Sequence, residues 1–406
     1  MNSLFLSQVQ SVVSSGNCSG CGACVALAPL DLRMELDPQG YIRPKPTAQN
    51  TEVTNDEQKR NIFENSCPGF LVRGPDSRSM YQEPFGNYLS AWKGYAVDPK
   101  IRFEGSSGGV LTALSSWLLD SGEVAEVIAS ASDRDSPART LPVTIKGSDE
   151  VGAISGSRYA PVANASLLNL GTTNQALVGK PCEVSATNSL YKSLGKDLPL
   201  TLTFFCAGTP SQLATEKLVA RLGQNLENLK DLRYRGLGWP GKFRVTDNDG
   251  QVSEISYSDS WGSVLGKNLQ WRCKICPDGC GQLADVSVGD LWESDSNGFP
   301  LFEDGEGMSV ILARTIRGKQ LIERAERQGI IVLMEVDLAI AAKVQSYQIQ
   351  RRKTLAGRLM GLKLLGAITP TYKEFGLVKL LARHPFSNLR AIFGVIRRYL
   401  RNPRNN

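Results

Sequence analysis

A chain of 406 residues, 41% hydrophobic and 21% charged, is long enough for two or three domains that each bury a core. Its single histidine, His384, lies near the end, so Ser-His-Asp hydrolysis and the usual zinc hydrolase sites are excluded from the body of the chain. The net charge of +6 is unevenly divided: from Lys343 onward 14 Lys and Arg face one acid, Glu374, so the tail carries +13 and residues 1–342 carry −7.

The nine cysteines are clustered in knuckles, and their odd number argues for free thiols in a reducing, cytoplasmic setting rather than a disulfide framework. Residues 1–16 have neither an early positive charge nor a long apolar core, so no signal peptide is expected, and no run has the length of a membrane span. The first knuckle is Cys18-Ser-Gly-Cys21-Gly-Ala-Cys24. Three thiols stepped at even intervals, separated by small residues, suit a cubane iron–sulfur cluster. The usual fourth ligand is a cysteine before proline, and Cys67-Pro68 supplies one 43 residues on. Zinc is the rival, since four thiolates suit it too, but zinc sites usually pair two C-x-x-C knuckles. Residues 1–86 therefore read as a ferredoxin-like 4Fe-4S segment, with a polar loop over 44–56 and a linker over 74–84.

From residue 87 the pattern changes to strands alternating with helices. A strand over 89–97, a glycine-rich turn, a helix over 110–119 and a strand over 124–131 have the order of a parallel crossover. Another strand is expected over 142–146. The same order recurs at 176–179 with a helix over 183–194, and at 200–205 with a helix over 211–222. Residues 242–257 read as a hairpin turning at Asn248-Asp249-Gly250. A strand over 283–292 follows, then strand, helix, strand over 308–313, 317–328 and 330–336. The expected fold is α/β with a mostly parallel sheet: one part over 87–170, a cluster-binding part over 171–345, and a basic helical tail over 346–406.

Several residues stand where such folds place chemistry. Cys182 and Cys206 each follow an apolar strand, at the sheet edge where open α/β folds bind ligands. With Cys273 and Cys276 they make a second four-thiol set, leaving Cys280 as a spare. The bland alternative is that Cys182 and Cys206 are small buried residues. Ser106, Ser107, Gly108 and Gly109 offer hydroxyls and bare backbone at a helix start, suited to a phosphate, though serine also caps many helices. Arg158 beside Tyr159 can pair with an anion or sit in a surface turn. Trp239 lies among glycines that let backbone approach a flat ring, or that simply form a turn. Asp290 is a polar contact at a strand end or a helix cap. The basic tail has the composition for an anionic lipid surface or an acidic partner, or for a solvated appendage; no nucleic-acid motif accompanies it.

Taken together, the two cysteine sets, Gly105-Ser-Ser-Gly-Gly109, Gly179-Lys-Pro-Cys182, Phe205-Cys206, Arg235-Gly-Leu-Gly-Trp-Pro-Gly241, Cys273-Lys-Ile-Cys276-Pro-Asp278 and Ala284-Asp-Val-Ser-Val-Gly-Asp290 resemble the coenzyme F420 hydrogenase/dehydrogenase beta-subunit family. The resemblance spans about residues 15–345. It implies an oxidoreductase with FAD and one or two 4Fe-4S clusters, with residues 87–170 as the flavin-binding part and 171–345 as the catalytic part, working with ferredoxin or another redox partner protein and, in some members, with coenzyme F420 as substrate. Some relatives act on chlorophyll-type pigments and some bacterial members are linked to polysaccharide biosynthesis. The extended cysteine segment of the pigment reductases is absent, and Cys280 lies outside the family pattern.

Overall fold

In a computed structural model of the chain, residues 3–47, 55–75, 80–292 and 304–401 are described. Strands of the main sheet are numbered β1–β8 and the longer helices α1–α9. They run α1 (Leu4–Ser14), α2 (Asp56–Ser66), β1 (Ser90–Ala96), α3 (Val110–Asp120), β2 (Glu126–Ser132), β3 (Thr140–Ile145), β4 (Gln175–Gly179), α4 (Pro181–Ser193), β5 (Leu200–Phe204), α5 (Gln212–Arg221), β6 (Val286–Asp290), β7 (Ser309–Ala313), α6 (Ile316–Arg327), β8 (Ile331–Met334), α7 (Ser346–Leu364), α8 (Leu377–Arg383) and α9 (Pro385–Arg401).

The apolar runs of β4, β5 and β7 read as strands buried on both faces, and they are. Successive residues point to opposite faces. Val127 and Ala176 pack with Leu114 and Trp117 of α3 and with Leu321 and Ile322 of α6. Their neighbours Ile128 and Leu177 pack with Val184 and Leu190 of α4 and with Ala23 and Ala26 of a short cysteine-bearing helix. Both faces of the sheet are thereby covered, and the first cysteine knuckle is pressed against the second face.

The strand order is β8-β1-β7-β6-β5-β4-β2-β3. The four inner strands β2, β4, β5 and β6 are parallel, and the flanking pairings are antiparallel. The sheet is thus mixed α/β. The expected crossover from β1 to β2 joins strands of the same direction, but β7, β6, β5 and β4 lie between them. Order along the chain shows that a helix returns to the sheet, not how many strands it passes. Because β1 sits between β7 and β8, the boundary near residue 170 runs through one sheet rather than between two.

Locally, the structure adds pairings that the sequence pattern did not show. Ile42–Pro46 pairs with Leu32–Leu36 as a hairpin, where a loop over 44–56 was expected; residues 48–54 lie outside the described ones. The 242–257 hairpin forms with its Asn-Asp-Gly turn and gains a third strand, Leu229–Arg233. The tail is not a solvated appendage. Arg351, Arg352 and Leu355 of α7 are buried, and Thr371–Lys373 pairs in parallel with Leu71–Arg73, just beyond Cys67.

Candidate functional site

The first cysteine loop needs its glycines. Gly20 and Gly22 have φ of +70° and +88°, and a Cβ on Gly22 would meet the Ser166 backbone nitrogen at 2.7 Å. That close turn delivers Cys18, Cys21 and Cys24 to the wall of one small cavity, and α2 delivers Cys67, which caps its C-terminus. The Gly20 N–H donates to Cys18 Sγ at 3.4 Å and the Gly69 N–H to Cys67 Sγ at 3.4 Å. Burial pushes the Cys21 thiol up to about 11, with Cys18 adding repulsion. It pushes Cys24 and Cys67 up too, with neighbouring thiols again adding to the effect.

The second set assembles from four places. Cys182 is in the first turn of α4, Cys206 follows β5, and Cys273 and Cys276 come from a short helix and the turn after it. The Thr209 N–H and the Gln270 side-chain amide each donate to Cys273 Sγ at 3.3 Å. Burial pushes the Cys206 thiol up to about 12, and Cys273 and Cys276 lie close enough to push further. Burial also raises Cys182 well above the usual thiol range; Lys180 opposes this, while Glu183, Cys21 and Cys206 add to it. Cys182 therefore has a sulfur of each set, Cys21 and Cys206, in its surroundings. Cys280 packs instead with Phe85, Val310 and Leu312, and burial pushes its thiol up to about 12, with Asp278 adding to the effect. Among the described residues, no group of three or more His, Cys, Asp or Glu is arranged to hold a single metal ion.

Three buried cations surround the second set, none of which stood out in the sequence. Lys180 Nζ donates to the Val162 carbonyl at 2.6 Å and pairs with the fully buried Glu183 at 2.8 Å. Burial alone would push its ammonium down, but Glu183, Cys182 and Cys206 hold it up. Arg272 donates to the Pro68 carbonyl at 3.0 Å, which ties the two sets together, and its buried Nε has no partner. Arg351 of α7 donates to the Cys206 carbonyl at 3.1 Å, with Cys276, Cys206 and Cys273 around it. Buried cations converging on thiols, with backbone N–H groups aimed at sulfur, fit an anionic metal–thiolate cluster. Each coordinated thiol would lose its proton despite its raised pKa.

A cavity of about 430 Å³ opens at the carboxyl ends of β5 and β6, a size usual for a small-molecule site. Gly105, Ser106, Ser107 and Gly109 line one side, and Cys206, Thr209 and Lys180 another. Gly109 is the N-cap of α3 with φ +72°, and a Cβ there would meet the Ile101 carbonyl at 2.7 Å. The buried Ser106 hydroxyl has no partner. Ser107 bonds the Met308 carbonyl at 2.7 Å, and the Gly108 N–H donates to Ser309 Oγ, so Gly108 faces the sheet and not the cavity.

Arg158 lines the cavity but its donors are engaged. It bonds Thr140 Oγ1 and the carbonyls of Leu232, Pro137 and Arg139, fastening the β3 side to the 229–233 strand. Arg235, 1% exposed and on the cavity wall, keeps a donor to spare. Its Nη1 pairs with Asp290 at 2.5 Å and donates to the Tyr159 hydroxyl at 3.3 Å, while its buried Nη2 has no partner. The rings of Trp239, Tyr257 and Trp292 enclose it at 4.6–5.1 Å. Within this cage Trp239 lies 4.1 Å from Trp292, and it does not line the cavity. The Arg-Gly-Leu-Gly-Trp-Pro-Gly motif held the signal for Arg235, one position before its glycines.

A doubly covered mixed sheet, with a cavity and buried thiols at its strand ends, defines a thiol-rich α/β protein. The comparisons narrow this further. Residues 91–169 match the family model for the coenzyme F420 hydrogenase/dehydrogenase beta-subunit N-terminal part, and residues 172–338 match that for its C terminus. The chain belongs to that family, whose named members are redox subunits. It is 26% identical to the coenzyme F420 hydrogenase subunit beta of Methanococcus voltae, over 63% of this chain and 87% of the relative. It is 28% identical to the F420-dependent formate dehydrogenase 1 subunit beta of Methanococcus maripaludis, over 62% of this chain and 64% of the relative. It is 22% identical to the coenzyme F420-dependent sulfite reductase of Methanocaldococcus jannaschii, over 85% of this chain and 52% of the relative. A solved chain of the F420-reducing [NiFe] hydrogenase complex from Methanosarcina barkeri shares the fold, with TM-score 0.53 and 23% identity over 70% of this chain and 97% of that one.

Proposed function

We propose that this chain is a flavin- and iron–sulfur-dependent oxidoreductase subunit that moves electrons between a hydride carrier, coenzyme F420 or a related deazaflavin, and a partner protein or ferredoxin. The observation that carries the reading is the shared wall. Cys206 lines the large cavity and also stands among Cys273, Cys276 and Cys182, so a ring in the cavity would lie beside the second thiol set. A bound FAD interconverts a hydride with single electrons, and iron–sulfur clusters pass single electrons on.

The chain's own residues would do the following. The Ser106 hydroxyl and the N-terminus of α3 would donate to a phosphate. Arg235 Nη2 would donate to an acceptor edge of the ring system or substrate. Lys180 would place positive charge between cavity and thiols, favouring the more reduced, more negative state of either side. Cys18, Cys21, Cys24 and Cys67 would hold one 4Fe-4S cluster, and Cys182, Cys206, Cys273 and Cys276 another. All nine cysteines are free, which suits a reducing compartment, the cytoplasm.

The test is to mix the anaerobically prepared chain with reduced coenzyme F420 and benzyl viologen, and follow recovery of the deazaflavin absorbance. Oxidation of the donor that fails in the Cys206→Ser variant is expected. An iron- and flavin-loaded chain that leaves reduced F420, NADH and reduced ferredoxin all untouched would overturn the catalytic reading.

A further inference from the structure

We propose that α9 is an interfacial helix that docks the protein on an anionic membrane surface. The inference is independent of the redox reading. Among the described residues no helix is long and apolar enough to cross a membrane, so the attachment is peripheral.

Asn388 is fully buried: its amide donates to the Lys353 carbonyl at 2.9 Å, and its carbonyl oxygen accepts from the Gly357 N–H at 2.7 Å. Glycine at 357 and 361 lets α7 and α9 approach closely; a Cβ on Gly357 would meet the Asn388 carbonyl at 2.3 Å. Asn388 and Val395 therefore fix one side of α9 against the protein.

Helical periodicity then fixes what the other sides present. Phe386, Leu389, Phe393 and Leu400 fall on one stripe, away from Asn388 and Val395. Phe386 is 80% exposed, Phe393 64% and Leu400 68%. Two phenylalanines and two leucines on a well-anchored helix leave a large apolar strip facing outward, which needs a partner. Arg390 and Arg397, both exposed, flank that stripe.

Charge identifies the partner. No Asp or Glu occurs after Glu374, and the tail from Lys343 carries +13. A second copy of the chain, stacked stripe to stripe, would bring arginine against arginine. An anionic lipid surface accepts the apolar stripe into the acyl boundary and the arginines at the headgroups. Each arginine near such a surface strengthens binding roughly fivefold, and the effect weakens with salt.

The experiment is co-sedimentation of the full chain with sucrose-loaded vesicles, either phosphatidylcholine alone or phosphatidylcholine with phosphatidylglycerol. Binding only to the anionic vesicles, released by high salt, is expected. Arg390→Glu with Arg397→Glu should lower the partition coefficient at least tenfold, and Phe386→Ser with Phe393→Ser should do the same. All four side chains are exposed, so both variants should keep the parent's melting temperature, which is measured alongside. No sedimentation with anionic vesicles, equal binding to both lipids, or a dimer in gel filtration that Phe393→Ser splits would each overturn the proposal.

Discussion

The guanidinium of Arg235 has three rings around it, the Pro240 carbonyl on Nε, the Asp290 carboxylate and the Tyr159 hydroxyl on Nη1, and no hydrogen-bond partner on Nη2. A buried cation in that state depends on its acid. Asp290→Asn keeps the shape but removes the charge; since the Asp290 side chain is 26% exposed, the expected loss is at the lower end, about 2 kcal/mol, measured by denaturant unfolding. Ser106→Ala is expected to do the opposite. The hydroxyl bonds nothing in the protein, so stability should change by less than about 0.5 kcal/mol, while flavin affinity, measured by fluorescence titration, should fall roughly tenfold. Unchanged affinity would detach Ser106 from the cofactor. At this scale the sequence was readable where backbone shape speaks: the glycines of the cysteine loop and Gly109 were legible as turns. That the donors of Arg158 are taken up was not legible, because its four acceptors come from strands and loops up to 74 residues away. Arg235, Lys180 and Arg272 were missed because burial, which gives a charge its significance, depends on what packs around it.

Among the elements, α7 has the largest structural consequence. Leu355 and Leu362 are buried, Leu359 and Leu365 pack beside them, and the same cluster includes Ile275 between the two cysteines of the second knuckle. Gln348 and Arg351 each donate to the Cys206 carbonyl at 3.1 Å. The leucine spacing announced a helix with an apolar face. The surrounding arginines disguised its burial, because basic residues usually lie outside and here Arg351 and Arg352 lie inside, paired with carbonyls and with Glu83. Gly357→Ala would drive a methyl group against the Asn388 carbonyl and should cost about 1–3 kcal/mol in thermal unfolding, with α9 displaced. Ending the chain after Lys343 removes the cover over the second set. The expected result is loss of about half the iron, with the first set retained, measured by iron and sulfide assay.

For the molecule as a whole, the sheet is the unit of stability. Residues 87–170 contribute β1, β2 and β3, yet β1 pairs only with β7 and β8. A fragment limited to those residues leaves β1 without a neighbour, so it is expected to show no cooperative thermal transition by circular dichroism, whereas the full chain melts as a unit. The alternation of strands and helices was legible as α/β, and the cysteine spacing pointed to two metal–thiolate sets. Neither the strand order nor the meeting of the tail with the cysteine segment could be read, since both are set by pairings that local pattern does not encode. The central claim is that two four-thiol sets and a neighbouring cavity hold inorganic iron and a flavin. The most direct measurement is the content of the anaerobically purified chain: iron and acid-labile sulfide by colorimetry, zinc by mass spectrometry, and flavin by fluorescence after acid release. About eight iron, a matching amount of sulfide and one flavin per chain are expected; stoichiometric zinc with no flavin would contradict the account.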